Sequence, residues 1–142
     1  MRNEFLETFE CAGFGYKPVL DFRAWRVAYL RYCDDYAPTK VSALKRHVET
    51  DEVLVLLNGH AILFIGGNSD RVKEVRAQIL VPGKIYNVKH GTWHAIIVSQ
   101  DANMLVVENS DTSKANTEFT LLKQTHKKFI IEAAHKINDQ LW

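Results

Sequence analysis

Apolar and polar positions alternate along most of the chain with a period of two, the repeat of a half-buried β-strand. Residues 25–32 are aromatic and β-branched enough for a strand, and the turn residues Asp34-Asp35-Tyr36-Ala37-Pro38 end it. Residues 52–57 and 60–65 are two apolar runs on either side of Asn58-Gly59. Asn and Gly tolerate the positive φ of a type I′ turn, so this dipeptide predicts a β-hairpin. Residues 74–80 read as a further strand ending at Pro82-Gly83, and 84–88, 93–99, 104–108 and 118–122 continue the pattern between polar turns. About eight or nine short strands at this spacing predict an all-β sandwich or barrel.

The period changes only near the C-terminus. Phe129, Ala133, Ile137 and Leu141 recur every fourth position with Ile130 and Ala134 beside them, which predicts an amphipathic helix over about 124–141. Its apolar stripe has two possible partners, the outside of its own barrel or a second subunit. The N-terminal dozen residues, with Phe5, Leu6 and Phe9, form a short helix or an arm with the same two options. No repeat, low-complexity segment or linker interrupts the chain, so residues 1–142 are expected to be one domain with a barrel core over about 18–123.

Composition narrows the classes of function. At 142 residues and 46% hydrophobic, the chain can bury a core without a disulfide or a structural metal. Eighteen basic against seventeen acidic side chains give no electrostatic surface for nucleic acid or for an anionic membrane. Cys11 and Cys33 lack metal-binding spacing and read as thiols of a reducing compartment, with a single disulfide left open. No apolar run approaches the roughly 18 residues of a membrane helix. The expectation is a soluble, cytoplasmic protein that binds a small molecule, and a homodimer, because a small barrel with open sheet edges has surface to bury.

Candidate chemistry lies where an apolar strand face begins with an ionisable residue. Glu52, Leu54 and Leu56 share one face of their strand, and His94, Ile96 and Val98 share one face of theirs. If both faces point inward, a carboxylate and an imidazole stand in the barrel mouth, where a charge needs a metal, a hydrogen bond or water. His47, five residues before Glu52, can swing in beside it. Two histidines and a carboxylate with open positions are what iron, manganese, zinc or nickel sites use. Other readings stand beside these: His47 as a loop or capping residue, Glu52 as a partner of Lys45 or Arg46, and His94 as a neutral hydrogen-bonded histidine. His60 is expected to face solvent, His126 and His135 have no expected site role, and Tyr86, Tyr29 and Trp25 are core or cavity residues.

Residues 45–52, Lys-Arg-His-Val-Glu-Thr-Asp-Glu, with Gly59, resemble the first motif of the cupin family, and residues 83–94, from Gly83 to His94, resemble its second. The resemblance covers roughly residues 40–110 and implies a single-domain cupin, a double-stranded β-helix or jelly-roll barrel, here with a C-terminal helix. It implies that His47, Glu52 and His94 match ligand positions for a divalent metal. The chain departs from the pattern at three places. Lys45 stands where the family usually has the first histidine, Lys89 where it has proline, and Val98 where it has asparagine. His90 is then a candidate fourth ligand, and Lys45 and Arg46 are candidates to hold an anionic substrate group.

Two classes of function follow. One is a metal-dependent enzyme acting on a small polar metabolite, with Tyr86 as a candidate for proton transfer and no nucleotide cofactor. Lyase, isomerase and dioxygenase chemistries all occur on this scaffold, the first two being preferred here. The segment Gly91-Thr92-Trp93-His94 is similar to ureidoglycolate-lyase-like cupins, which implies a ureido or hydroxy acid. The alternative is a non-catalytic barrel that binds a small ligand or a sugar without metal.

Overall fold

In a computed structural model, residues 4–142 are described. Ten strands run in order along the chain: β1 (Gly15–Phe22), β2 (Trp25–Arg31), β3 (Ala43–His47), β4 (Glu52–Asn58), β5 (Ala61–Ile65), β6 (Arg76–Ile79), β7 (Ile85–Val88), β8 (His94–Val98), β9 (Asn103–Asn109) and β10 (Thr117–Leu121). One helix, α1 (Gln124–Ile137), follows them. The strands form two five-stranded antiparallel sheets, ordered β1-β2-β9-β4-β7 and β10-β3-β8-β5-β6.

The inner faces of the two sheets meet in one apolar core that contains Leu54, Leu56, Ile96, Val98, Met104 and Val106. Strand parity sorts the remaining residues of β8 outward. Ala95 and Ile97 lie with Leu44, Phe64 and Trp93 in a second core on the outer face of the other sheet, roofed by Ile130 and Ala134 of α1. Phe129 adds an edge-on contact with Phe64 at 6.1 Å between ring centroids. The helix therefore covers its own sheet, and its buried stripe is not a surface for a second copy. β8 is buried on both faces for this reason, and all five of its residues are buried.

Two expectations need correction, the hairpin at Asn58-Gly59 and the set of strands, to which β1 and β3 are added. Asn58-Gly59 is not a hairpin turn, because β4 pairs with β7 and β9 while β5 pairs with β6 and β8 in the other sheet. The positive φ of Gly59 (82°) serves a crossover between layers, which requires the same backbone freedom as a type I′ turn. β1 was not expected as a strand. Its alternation is broken at Pro18, where the register with β2 slips, and an edge strand tolerates both the bulge and the missing donor. Of the two forms expected for the N-terminal segment, the arm describes residues 6–12, which form neither helix nor strand, while residues 1–3 lie outside the described residues. Cys11 and Cys33 are both free thiols. No helix among the described residues is long and apolar enough to cross a membrane.

Candidate metal centre

His47 is the last residue of β3, Glu52 the first of β4 and His94 the first of β8. Because all three strand ends lie at one rim and all three side chains take the inward parity, they meet under the mouth of the fold. His47 is 6% exposed, Glu52 4% and His94 3%. His94 Nε2 lies 2.8 Å from Glu52 Oε2, and His47 Nε2 lies 3.2 Å from the same oxygen. These three donors stand within 4.8 Å of one another, close enough to hold one metal ion.

The backbone around the rim is fixed by its own hydrogen bonds. The Gly91 amide donates to the His47 carbonyl at 2.6 Å, tying the loop before β8 to the end of β3. Asp51 accepts from the His90 amide at 2.8 Å and from Asn87 at 3.0 Å. Thr50 Oγ1 accepts from the Asn109 amide at 2.9 Å, which clamps the turn between His47 and Glu52 against β9. The ligands therefore sit on strand ends whose connecting loops are stitched to each other.

Hydrogen bonding decides how the imidazoles are turned. His94 Nδ1 lies 2.8 Å from the Thr92 carbonyl, an acceptor, so Nδ1 carries a proton. In the neutral ring Nε2 then offers a lone pair, directed at a carboxylate oxygen 2.8 Å away. Two lone pairs at that distance repel unless a proton or a cation lies between them. His47 Nδ1 is engaged with Thr117 Oγ1 at 2.8 Å, and its buried Nε2 has no hydrogen-bond partner. A buried polar nitrogen without a partner is costly, and here it faces the same carboxylate. The donor set thus fits a divalent ion: one carboxylate and two imidazoles held through their outer nitrogens, one of them with an orphaned Nε2.

Glu52 stays ionised in this setting. Burial opposes its charge, but the Lys45 ammonium and the His47 and His94 imidazoles beside it outweigh burial and hold the carboxyl well below the usual carboxylate range. Lys45 pairs in register with His94 across β3 and β8. Beyond that pair a cavity of about 300 Å³ opens, lined by Tyr36, Lys45, His94, Ile96 and Phe119 among others. Tyr36 belongs to the 3-10 turn Asp34–Tyr36. Burial first, and then the charges of Cys33, Glu52 and Asp35, push its phenol up to about 12, so it remains a hydrogen-bond donor at neutral pH.

The structure separates the other candidates. Arg46 has the opposite parity to Lys45: its guanidinium lies over the Trp93 ring at 4.4 Å and bonds Glu118 Oε2 at 2.8 Å, on the outer face of the sheet. His90 is an exposed partner of Asp51, with Nδ1 3.0 Å from its carboxylate, and stands outside the buried cluster. Tyr86 does take the inward parity, but it pairs with Leu54, one inward step beyond the Glu52 pair, and its hydroxyl accepts from the Val81 amide at 2.9 Å. Its hydroxyl is thereby held at the turn before β7, away from the rim. Two residues were passed over: Tyr36, hidden in a segment read as a turn, and Glu108, which ends the inward face Met104, Val106, Glu108 just as Glu52 begins its own.

No protein-family model matches the chain, and neither does any curated protein. Solved structures do resemble it. The 3,4-ketoisomerase QdtA of Thermoanaerobacterium thermosaccharolyticum, in complex with TDP-4-keto-6-deoxyglucose, is 16% identical, with a TM-score of 0.52 over 89% of this chain and 95% of that one. Hydroquinone 1,2-dioxygenase of Sphingomonas sp. TTNP3, with 4-hydroxybenzoate bound, is 11% identical, with a TM-score of 0.54 over 71% and 68%. PAC13 of Streptomyces with uridine is 9% identical, with a TM-score of 0.55 over 75% and 78%. At these identities the likeness is one of fold.

Proposed function

The chain has the cupin fold, and on that scaffold we propose a metal-dependent enzyme that acts on a small anionic metabolite, of the isomerase or lyase class. One observation carries the reading: His47 Nε2 and His94 Nε2 converge on one carboxylate oxygen of Glu52 in a buried rim. A divalent ion held by His47, Glu52 and His94 would supply Lewis-acid polarisation of a substrate carbonyl or hydroxyl oxygen. The remaining work falls to residues of the chain. Lys45 presents an ammonium to the cavity and suits a carboxylate or phosphate of the substrate. Its charge also keeps Glu52 in the ionised form that a ligand requires. Tyr36, protonated at neutral pH, offers a donor to a substrate oxygen on the same wall. Ile96 and Phe119 supply apolar surface that strengthens these contacts by displacing water.

The supporting comparisons are those with structures that hold small molecules, a nucleotide sugar, a nucleoside and a hydroxybenzoate. The test is elemental analysis of the purified protein after metal removal and reconstitution with iron, manganese, zinc or nickel. We expect about one ion per chain in the wild type and none in His94→Ala. A protein that takes up none of the four sinks the enzyme reading. The non-catalytic binding module then becomes the better account, with Lys45 as the group that binds an anion.

A further inference from the structure

Glu108 is a buried carboxylate, 7% exposed, in the β9 register opposite Arg26. It closes the inward face of β9 at the rim where β4 begins with Glu52, since Val53 pairs with Val107 between the two strands. A carboxylate removed from water needs donors or positive charge on both oxygens. Oε1 has one, because the Tyr16 hydroxyl donates to it. Oε2 is turned the other way, 3.9 Å from His47 Nε2. That nitrogen is the one buried side-chain atom without a hydrogen-bond partner among the described residues. The gap is too wide for a hydrogen bond between the two atoms. An acceptor oxygen and a partnerless nitrogen thus face each other at the edge of the three-residue cluster.

We propose that Glu108 completes the cation site as its fourth protein donor, taking the place that Lys45 leaves without a ligand, with Tyr16 as the positioning residue that turns Oε2 inward. The inference rests on the reading of His47, Glu52 and His94 as metal ligands. It makes the set two imidazoles and two carboxylates, whose two negative charges match a divalent ion. This donor chemistry suits manganese, iron or zinc rather than ions that seek sulfur. It also gives His90 no part, in keeping with its exposed pairing with Asp51.

The experiment is a titration of the metal-free protein with Co²⁺, whose visible bands report the number and kind of donors. Wild type should take one Co²⁺. Glu108→Gln, shown to be folded by thermal melting, should bind it at least roughly 100-fold more weakly with altered bands, and Tyr16→Phe roughly 10-fold more weakly, the range found for ligand-orienting partners. Wild-type affinity and bands in Glu108→Gln, alongside no binding in His94→Ala, would overturn the role of Glu108 and leave the three-residue site standing. Absence of Co²⁺ binding in the wild type would instead remove the three-residue site, and this inference with it. If Glu108→Gln does not fold, Tyr16→Phe decides: unchanged Co²⁺ affinity there refutes the proposal.

Discussion

Gly59→Ala measures how the two sheets are joined. Gly59 has φ of +82°, and a Cβ placed on it would lie 2.6 Å from Ala102 Cα, 2.9 Å from Ala102 N and 2.9 Å from Ser99 Oγ. None of these atoms can retreat easily. Ala102 is 1% exposed and its amide donates to the Ser99 carbonyl at 3.0 Å, while Ser99 Oγ accepts from the His60 amide at 2.8 Å and donates to Asp101 at 2.6 Å. Placing alanine in the left-handed region costs about 1–2 kcal/mol. Forcing atoms into a packed neighbour adds about 1–3 kcal/mol. The sum is a destabilisation of about 2–5 kcal/mol. Gly83→Ala is the matched control, because Gly83 has φ of +83° and nothing within 4 Å of an added Cβ, so it incurs only the first cost. Urea unfolding at neutral pH, with unchanged slopes, should show Gly59→Ala lower than Gly83→Ala by about 1–3 kcal/mol. A hairpin turn at Asn58-Gly59 would incur only the dihedral cost, so equal losses in the two variants would refute the crossover packing.

Asp51→Asn probes the loop that ties the rim together. The His90 amide first, then Asn87 and the His90 ring, hold the Asp51 carboxyl down at about 2. Its folded value lies below the ordinary unfolded value of about 3.9, so its contribution is present above about pH 4 and is lost as pH falls through about 2. Melting temperatures should therefore be lower in Asp51→Asn at pH 7 and converge with wild type near pH 2, and a difference that does not change with pH would contradict the assignment. Arg46→Ala should cost about 1–2 kcal/mol by loss of the Trp93 stacking and the Glu118 pair, yet leave metal uptake at the wild-type level. Thermal unfolding and elemental analysis on the same sample check both halves, and lost metal in a folded Arg46→Ala would place Arg46 at the site after all.

Strand parity explains both what could be read from the sequence and what could not. Glu52 and His94 were legible because each begins an apolar face of an uninterrupted alternation, and the structure puts both faces inward. Lys45 and Arg46 were not separable while no strand was expected between the turn at 34–38 and residue 52. Once residues 43–47 are known to be β3, the inward parity of His47 places Lys45 inward and Arg46 outward. Tyr86 shows that parity alone is insufficient. It shares the inward face, but its pairing with Leu54 takes it one inward step away from the rim that Glu52 and Val88 form. β1 was lost because Pro18 interrupts the period that identifies a strand, and the Asn58-Gly59 crossover because a positive φ says nothing about which sheet the next strand joins.

The decisive variable is the height at which an inward apolar face stops. In an antiparallel sandwich successive strands reach a given rim alternately with their first and last residues, so a site there is scattered as strand ends and strand beginnings. His47 ends β3, Glu52 begins β4, His94 begins β8, and Glu108 lies one residue from the end of β9. Each replaces an apolar residue at the point where its face would otherwise continue into the core, and burial there is tolerated only if the groups satisfy one another or a shared cation. Glu108 obeys this rule as fully as Glu52 does. It was overlooked because the resemblance that guided attention has its last ligand position at His94, whereas the requirement that buried charges be matched applies to every strand that reaches the rim.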